Sequence, residues 1–330
     1  MELSAILNAI VPLFAIVAIG YGASAFRVFQ GNTAQAVNDF VYWIALPALL
    51  FLAVAKADLS EGVPWQFVVV ALVSIVVSYL VAMAGARGIF RRDTKVAFTL
   101  GLMAGYGNVA YMGVPLLLAA LGPQAALPAA IGQLIHNMFN MVCYPAVHTL
   151  LDAKAPRRDG PGAMLSTDRK PGIGREIAKK VLLNPVFLSV VAGLAFSLSG
   201  LGLARPVHDT IDLLAGAAAP GALFAVGLTL RKAVSGMRDG SVGVAEVGFA
   251  VVVKTVGMPL LALFLVTVVF PMPPLWAAAS VILAGMPNAA TAYVLAQQAR
   301  TYVQEAAAAV VVSTAVAVVT LSLWIGVVEP

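Results

Sequence analysis

Two apolar runs of this chain, each long enough to cross a lipid bilayer, are interrupted midway by helix breakers. The first carries Gly105-Tyr106-Gly107-Asn108 and then Gly113-Val114-Pro115, and the second carries Gly285-Met286-Pro287-Asn288. Backbone released from a helix finds no hydrogen-bond partner in hydrocarbon, so it is tolerated only where it packs in protein or lines a wet cavity. Matching interruptions in the two halves of a membrane chain point to a transporter's substrate site. The membrane class follows from composition: 61% of the 330 residues are hydrophobic and 11% charged, with a mean hydropathy of +0.95. No soluble domain of this length buries that much apolar surface, which leaves an all-α polytopic membrane protein.

Ten apolar segments, each near the ~20 residues of a spanning helix, are read at roughly 4–26, 34–56, 64–87, 95–121, 124–150, 182–200, 206–231, 241–270, 275–299 and 303–328. Between the fifth and the sixth runs a basic stretch from Asp152 to Lys180, with Lys154, Arg157, Arg158, Arg169, Lys170, Arg175 and Lys179. Its Pro and Gly residues mark a linker without a core. The organisation expected is a five-helix unit over 1–150, a linker over 151–181 and a second five-helix unit over 182–330.

The positive-inside rule puts the 152–180 linker in the cytoplasm and, across five spans, both termini outside. Arg27, Arg87, Arg91, Arg92, Lys95, Arg231, Lys232, Arg238 and Arg300 sort to the same inner side. The outer side holds Lys56 and Arg205 with Glu2, Asp58, Glu61, Asp209, Asp212 and Glu329. The expected location is the plasma (inner) membrane. The N-terminus lacks the basic region of a signal peptide, so the first span is expected to be retained. A lone Cys143 excludes an intrachain disulfide or a Cys-based metal site. The net charge of +5 belongs to the inner loops and does not suggest nucleic-acid binding. No metal or cofactor is expected.

The two halves align with one another. Leu7-Asn8 matches Leu183-Asn184, and the segment Ala45-Leu46-Pro47-Ala48-Leu49-Leu50-Phe51 matches Ala218-Ala219-Pro220-Gly221-Ala222-Leu223-Phe224. In that frame Asp39 meets Asp212, Gly105 meets Gly285 and Asn108 meets Asn288. Span n pairs with span n+5, and because five is odd the second copy sits upside down. The expected fold is therefore ten transmembrane helices in two inverted five-helix repeats, with spans 4 and 9 as crossed, broken helices.

At this point the motifs resemble a known family. The phrase Val37-Asn38-Asp39-Phe40-Val41-Tyr42-Trp43-Ile44-Ala45-Leu46-Pro47 is similar to an early Pro-containing helix of the auxin efflux carrier family. The stretch from Asn108 to Leu116, Lys254 with Pro259-Leu260-Leu261, and the stretch from Met286 to Ala296 resemble its first crossover, eighth span and second crossover. The resemblance covers nearly the whole chain outside the linker. It implies a scaffold that forms a homodimer, a transport domain, small organic anions such as malonate or auxin as substrates, and an elevator-type motion. Plant members carry a further Pro near Ala292, and many bacterial members an Asn near Thr291, so the ligand contact in the second crossover falls on either Asn288 or Thr291.

Asn108 and Asn288 are the first candidates for substrate contact. Broken helices present positive half-helix ends that suit a carboxylate, and an Asn side chain both donates and accepts. Capping the break is the alternative role. Gly105, Gly107, Gly113, Pro115, Pro287, Pro47 and Pro220 read as architecture. The fifth span carries Gln133, His136, Asn137, Asn140 and Tyr144 on one helix face. Such a face looks into a cavity or forms an interhelical hydrogen-bond seam. His136 is a candidate for proton coupling. Asp39, near the inner end of its span, can reach water, and the resemblance implies a proton or gating role for it. Lys254 is placed to neutralise a substrate carboxylate, to pair with an acid or to satisfy carbonyls. Glu246 is about 12 Å away along the helix, too far for a direct pair. Tyr106, Tyr111, Thr291 and Tyr293 flank the breaks.

The leading expectation is thus a secondary carrier of small organic anions rather than an enzyme, with the anion, the bilayer and possible coupling protons as its partners. No GxxxxGK[ST] loop is present to use ATP directly. A sodium-coupled symporter of related fold is the nearer alternative. An intramembrane enzyme is the more distant one, since neither HExxH nor a paired acidic cluster is present.

Overall fold

The computed structural model describes residues 3–29, 32–56, 62–153, 183, 185–237 and 242–328. The basic linker from Lys154 to Lys180 lies outside these residues, as do Glu2, Asp58, Glu61, Asn184, Arg238 and Glu329, while residues 151–153, expected to begin the linker, continue the preceding helix. Among the described residues all regular structure is helical, as lipid demands of open segments that must satisfy their own backbone.

In chain order the elements are α1 (Leu3–Ala25), α2 (Thr33–Ala55), α3 (Trp65–Gly88), α4 (Thr94–Gly105), α5 (Val109–Leu121) and α6 (Ala126–Ala153). Then come α7 (Pro185–Ser199), α8 (Arg205–Gly216), α9 (Ala218–Met237), α10 (Val244–Val269), α11 (Pro274–Ala284), α12 (Ala290–Ala299) and α13 (Val303–Val328). Among the described residues, five helical stretches are long and apolar enough to cross a membrane alone: Thr33–Ala55, Trp65–Gly88, Arg205–Thr229, Val244–Val269 and Val303–Val328.

Proline sets the local irregularities. Wide π turns occupy Val41–Ala45, Val109–Gly113, Val253–Gly257 and Leu265–Val269. Each ends two residues before a proline: Pro47, Pro115, Pro259 and Pro271. A proline removes one backbone donor and pushes its ring against the carbonyl four residues back. At Pro47, Pro115 and Pro259 widening that turn relieves the clash without ending the helix, whereas α10 stops at Val269, before Pro271.

The helices sort into two groups. α1 packs on α9, while α2 packs on α7 and α8. In the second group α3 packs on α4, α10 packs on α11 and α13, and α12 packs on α13. Small residues allow the closest approaches, as expected where lipid gives helix pairing no hydrophobic drive. A Cβ added to Gly20 of α1 would lie 2.3 Å from the Phe224 carbonyl oxygen of α9, and one added to Gly227 would lie 2.2 Å from that of Val17. The α1–α9 crossing therefore requires glycine on both sides.

At one end of the second group, Arg92 donates from Nε to Glu246 Oε1 at 2.7 Å and stacks over the Tyr302 ring. That hydrogen bond raises the guanidinium's already high pKa. The pair ties the start of α4 to the start of α10, and it commits the acid closest in sequence to Lys254.

Candidate functional site

The site is built where two helices stop. Asp93 caps α4 by accepting from Val96 N at 2.9 Å, and α4 ends at Gly105. Tyr106 turns extended (φ −101°, ψ 97°), and helical structure resumes at Val109. In the other half, α11 ends at Ala284 and α12 begins at Ala290, preceded by an extended Ala289.

These two non-helical stretches run antiparallel and pair with each other. Asn108 N donates to the Pro287 carbonyl at 2.6 Å and Ala289 N donates to the Tyr106 carbonyl at 3.0 Å, with Gly107 opposite Asn288. An unpaired buried peptide group costs roughly 2–7 kcal/mol on transfer from water, so each stretch supplies partners that the other would otherwise lack. The open helix ends are closed by side chains. Asn288 donates from Nδ2 to the Met103 carbonyl of α4, and Lys254 donates from Nζ to the Ala284 carbonyl of α11 at 2.5 Å. Both arrangements place a donor at the negative end of a helix dipole.

The two Asn residues then part company. Asn288 is 1% exposed. Besides the Met103 bond, its backbone N–H donates to Ser313 Oγ at 2.9 Å. Asn108, 2% exposed, lines a cavity of about 560 Å³ that Asn288 does not reach; the Oδ1 of each is buried without a hydrogen-bond partner.

The cavity lies between the two helix groups. α2 contributes Gln35, Asn38, Asp39 and Tyr42, and α9 contributes Thr229. The facing wall holds Tyr106, Gly107, Asn108 and Tyr111 from the first break, Asn137 from α6, and Thr291, Tyr293 and Gln297 from α12. The Tyr106 hydroxyl donates to Asn137 Oδ1 at 2.9 Å and has Thr291 as a further neighbour. Asp39 stands exposed at the mouth and accepts from Gln35 Nε2 at 2.7 Å. The cavity lining reaches Asn32, just before α2, and Gln297, three residues before Arg300. A second cavity, of about 550 Å³, lies at the opposite end of α2 and is lined by Lys56, Gln124, Asp212 and Trp276.

The polar face of α6 divides between the two roles open to it. Asn137 reaches the cavity. Asn140 accepts from the Tyr79 hydroxyl at 2.7 Å, and the Tyr144 hydroxyl bonds Thr99 Oγ1 at 2.8 Å, so these two form a seam to α3 and α4. Gln133 and His136 are buried, and both side-chain atoms of the Gln133 amide and Nδ1 of His136 lack a partner. Gln133, His136, Asn140, Asn288 and Lys254 are thus absent from the cavity wall.

A match to the family model described as "Membrane transport protein" extends over residues 5–325. The chain is 31% identical over 317 residues to the "putative malonate transporter" of Rhizobium meliloti (strain 1021), covering 95% of this chain and 92% of that one. This chain belongs to the membrane transport protein family. It is also 25% identical over 321 residues to the "uncharacterized transporter YfdV" of Escherichia coli (strain K12), covering 96% and 95% of the two chains. An "uncharacterized transporter" of Methanothermobacter thermautotrophicus is 24% identical over 322 residues, with 96% of each chain covered. As a family member with apolar helices of spanning length, the chain is a multi-pass membrane transporter, and its motifs are those of the auxin efflux carriers.

The cavity wall holds residues that the motifs alone did not single out. Gln35, Tyr42, Thr229 and Gln297 all line the cavity. The i, i+4 pair of Gln35 and Asp39 at the start of an apolar span carried a usable signal. Tyr79 and Ser313, which satisfy Asn140 and Asn288, carried none, because nothing in a sequence states which distant hydroxyl meets which amide.

Proposed function

We propose that this protein is a secondary active carrier of small organic anions, with dicarboxylates of malonate size as the substrate class. The observation that carries the reading is Asn108, which stands at a helix break in the wall of the cavity, where its counterpart Asn288 is absent. The resumed helix at Val109 directs its amino end toward this wall, and a helix N-terminus favours an anion. Tyr106, Asn137 and Thr291 supply neutral hydrogen-bonding groups alongside. The name of the Rhizobium relative points to the same substrate class.

In this reading Asn288 serves as a structural cap and Thr291 is the ligand-facing residue of the second break. The chain forms two inverted five-helix repeats over 1–150 and 182–330. The helix groups support this, since each half gives its first two spans to one group and its last three to the other. The two cavities support it as well: Asp39 stands at one and Asp212, its partner in the internal alignment, at the other. The first group acts as a scaffold and homodimer interface, and the second moves against it in an elevator-type cycle. With the Arg27 and Arg300 end in the cytoplasm of an inner-membrane protein, the cavity faces inward. Asp39 at the mouth is the candidate for proton coupling or gating, and His136, behind the wall, is a weaker one.

Uptake of labelled mono- and dicarboxylates into proteoliposomes, with and without a pH gradient, tests the proposal. Saturable flux of a small dicarboxylate is expected. Folded protein that moves none of the acids contradicts it.

A further inference from the structure

Lys254 is 0% exposed in the middle of α10. Its ammonium donates to the Ala284 carbonyl at 2.5 Å and approaches Met258 Sδ at 3.4 Å. No carboxylate among the described residues pairs with it, and Glu246, on the same helix, is held by Arg92. A buried charge without a counter-ion is costly and marks a functional position in a membrane protein.

The side chain ends against the back of Gly107. A Cβ added to Gly107 would lie 3.1 Å from both Cε and Nζ of Lys254 and 3.3 Å from the Met286 Cβ. Gly107 itself forms part of the cavity wall. A single glycine backbone therefore separates the ammonium from the space beside Asn108, and the missing side chain is what lets the charge come so close. The neighbouring elements α3, α4, α11 and α13 bring tyrosines, carbonyls and apolar groups to this region, and α6 brings His136. None supplies an anion.

We propose that Lys254 is the fixed positive charge that selects anions in this cavity, acting across Gly107 without touching the ligand. This rests on the anion-carrier reading and assigns the source of its charge preference. Neutral amides such as Asn108 and Asn137 orient a carboxylate but scarcely distinguish it from a carboxamide. The net field that does so comes from behind the wall. In a dry, low-dielectric surround a charge separated by one peptide unit still acts strongly. The Ala284 carbonyl holds the ammonium in place, so Lys254 also locks the end of α11 in the crossing.

The test compares malonate with malonamide, its neutral diamide of equal length, as competitors of labelled malonate on purified protein in nanodiscs. Lys254→Gln keeps a donor for the Ala284 carbonyl and removes the charge. The expected result is about a tenfold fall in the malonate-to-malonamide affinity ratio, with malonamide binding little changed. A folded Lys254→Gln protein with the wild-type ratio, or one that loses both ligands equally, overturns the proposal and leaves Lys254 a structural cap. If that variant does not fold, Gly107→Ala decides the matter: its methyl group pushes the ammonium off the wall. About a two- to threefold fall in the same ratio is expected, and an unchanged ratio overturns the proposal. Wild-type protein that binds neither compound sinks the anion-carrier reading itself.

Discussion

The two breaks occupy matching positions in the two halves of the sequence, yet they are finished differently. At the second break the Asn288 amide caps α4 through the Met103 carbonyl, and its backbone N–H is taken by Ser313. At the first break Asn108 spends its backbone N–H on Pro287 and lines the cavity. The cap that a symmetric partner would supply to α11 comes instead from Lys254. Repeating a motif thus need not repeat its role. Here one half provides the structural lock, and the equivalent residue of the other half stands in the cavity wall.

Removing the Asn side chain at each break in turn separates the roles. The largest expected effect is that of Asn108→Ala: transport efficiency falls by about 100-fold or more, on the scale of losing a central polar contact. Melting temperature should change little, because the backbone bond to Pro287 survives. Flux assays and thermal denaturation of the same preparation check both halves of that statement. Asn288→Ala should do the reverse. It leaves the Met103 carbonyl unsatisfied at a cost of about 1–3 kcal/mol, read as a lower melting temperature, while flux per folded molecule stays within a few-fold of wild type.

Smaller effects refine the wall around Asn108. Tyr106→Phe removes the donor to Asn137 and should raise KM by roughly 3- to 10-fold, corresponding to one modest hydrogen bond, with kcat nearly unchanged. Asp39→Asn, at the exposed mouth, should give the mildest loss of flux and a flatter response to an imposed pH gradient. A pH response identical to wild type would make Asp39 a residue of the entrance alone.

How much of this could be read from the sequence depends on the kind of interaction. The all-helical membrane class was legible, because apolar composition over hundreds of residues leaves no other way to satisfy backbone groups. The Gly, Pro and Asn clusters pointed to special backbone, since their chemistry is local. Long-range pairing was not legible. The α6 pattern placed Asn137, Asn140 and Tyr144 on one face, but periodicity gives direction and not partner. One turn along that face therefore decides whether a residue meets the cavity, as Asn137 does, or meets Tyr79 or Thr99. The contrast between Asn108 and Asn288 was hidden for the same reason: it depends on where Met103, Ser313 and Lys254 lie in space.

The most direct test of the divided roles is equilibrium binding of labelled malonate to purified wild-type, Asn108→Ala and Asn288→Ala proteins, each normalised to its folded fraction. The expected result is binding by wild type and Asn288→Ala, and none detectable by Asn108→Ala. Full binding by Asn108→Ala, or its loss only in Asn288→Ala, would contradict the assignment of the first break as the anion's site.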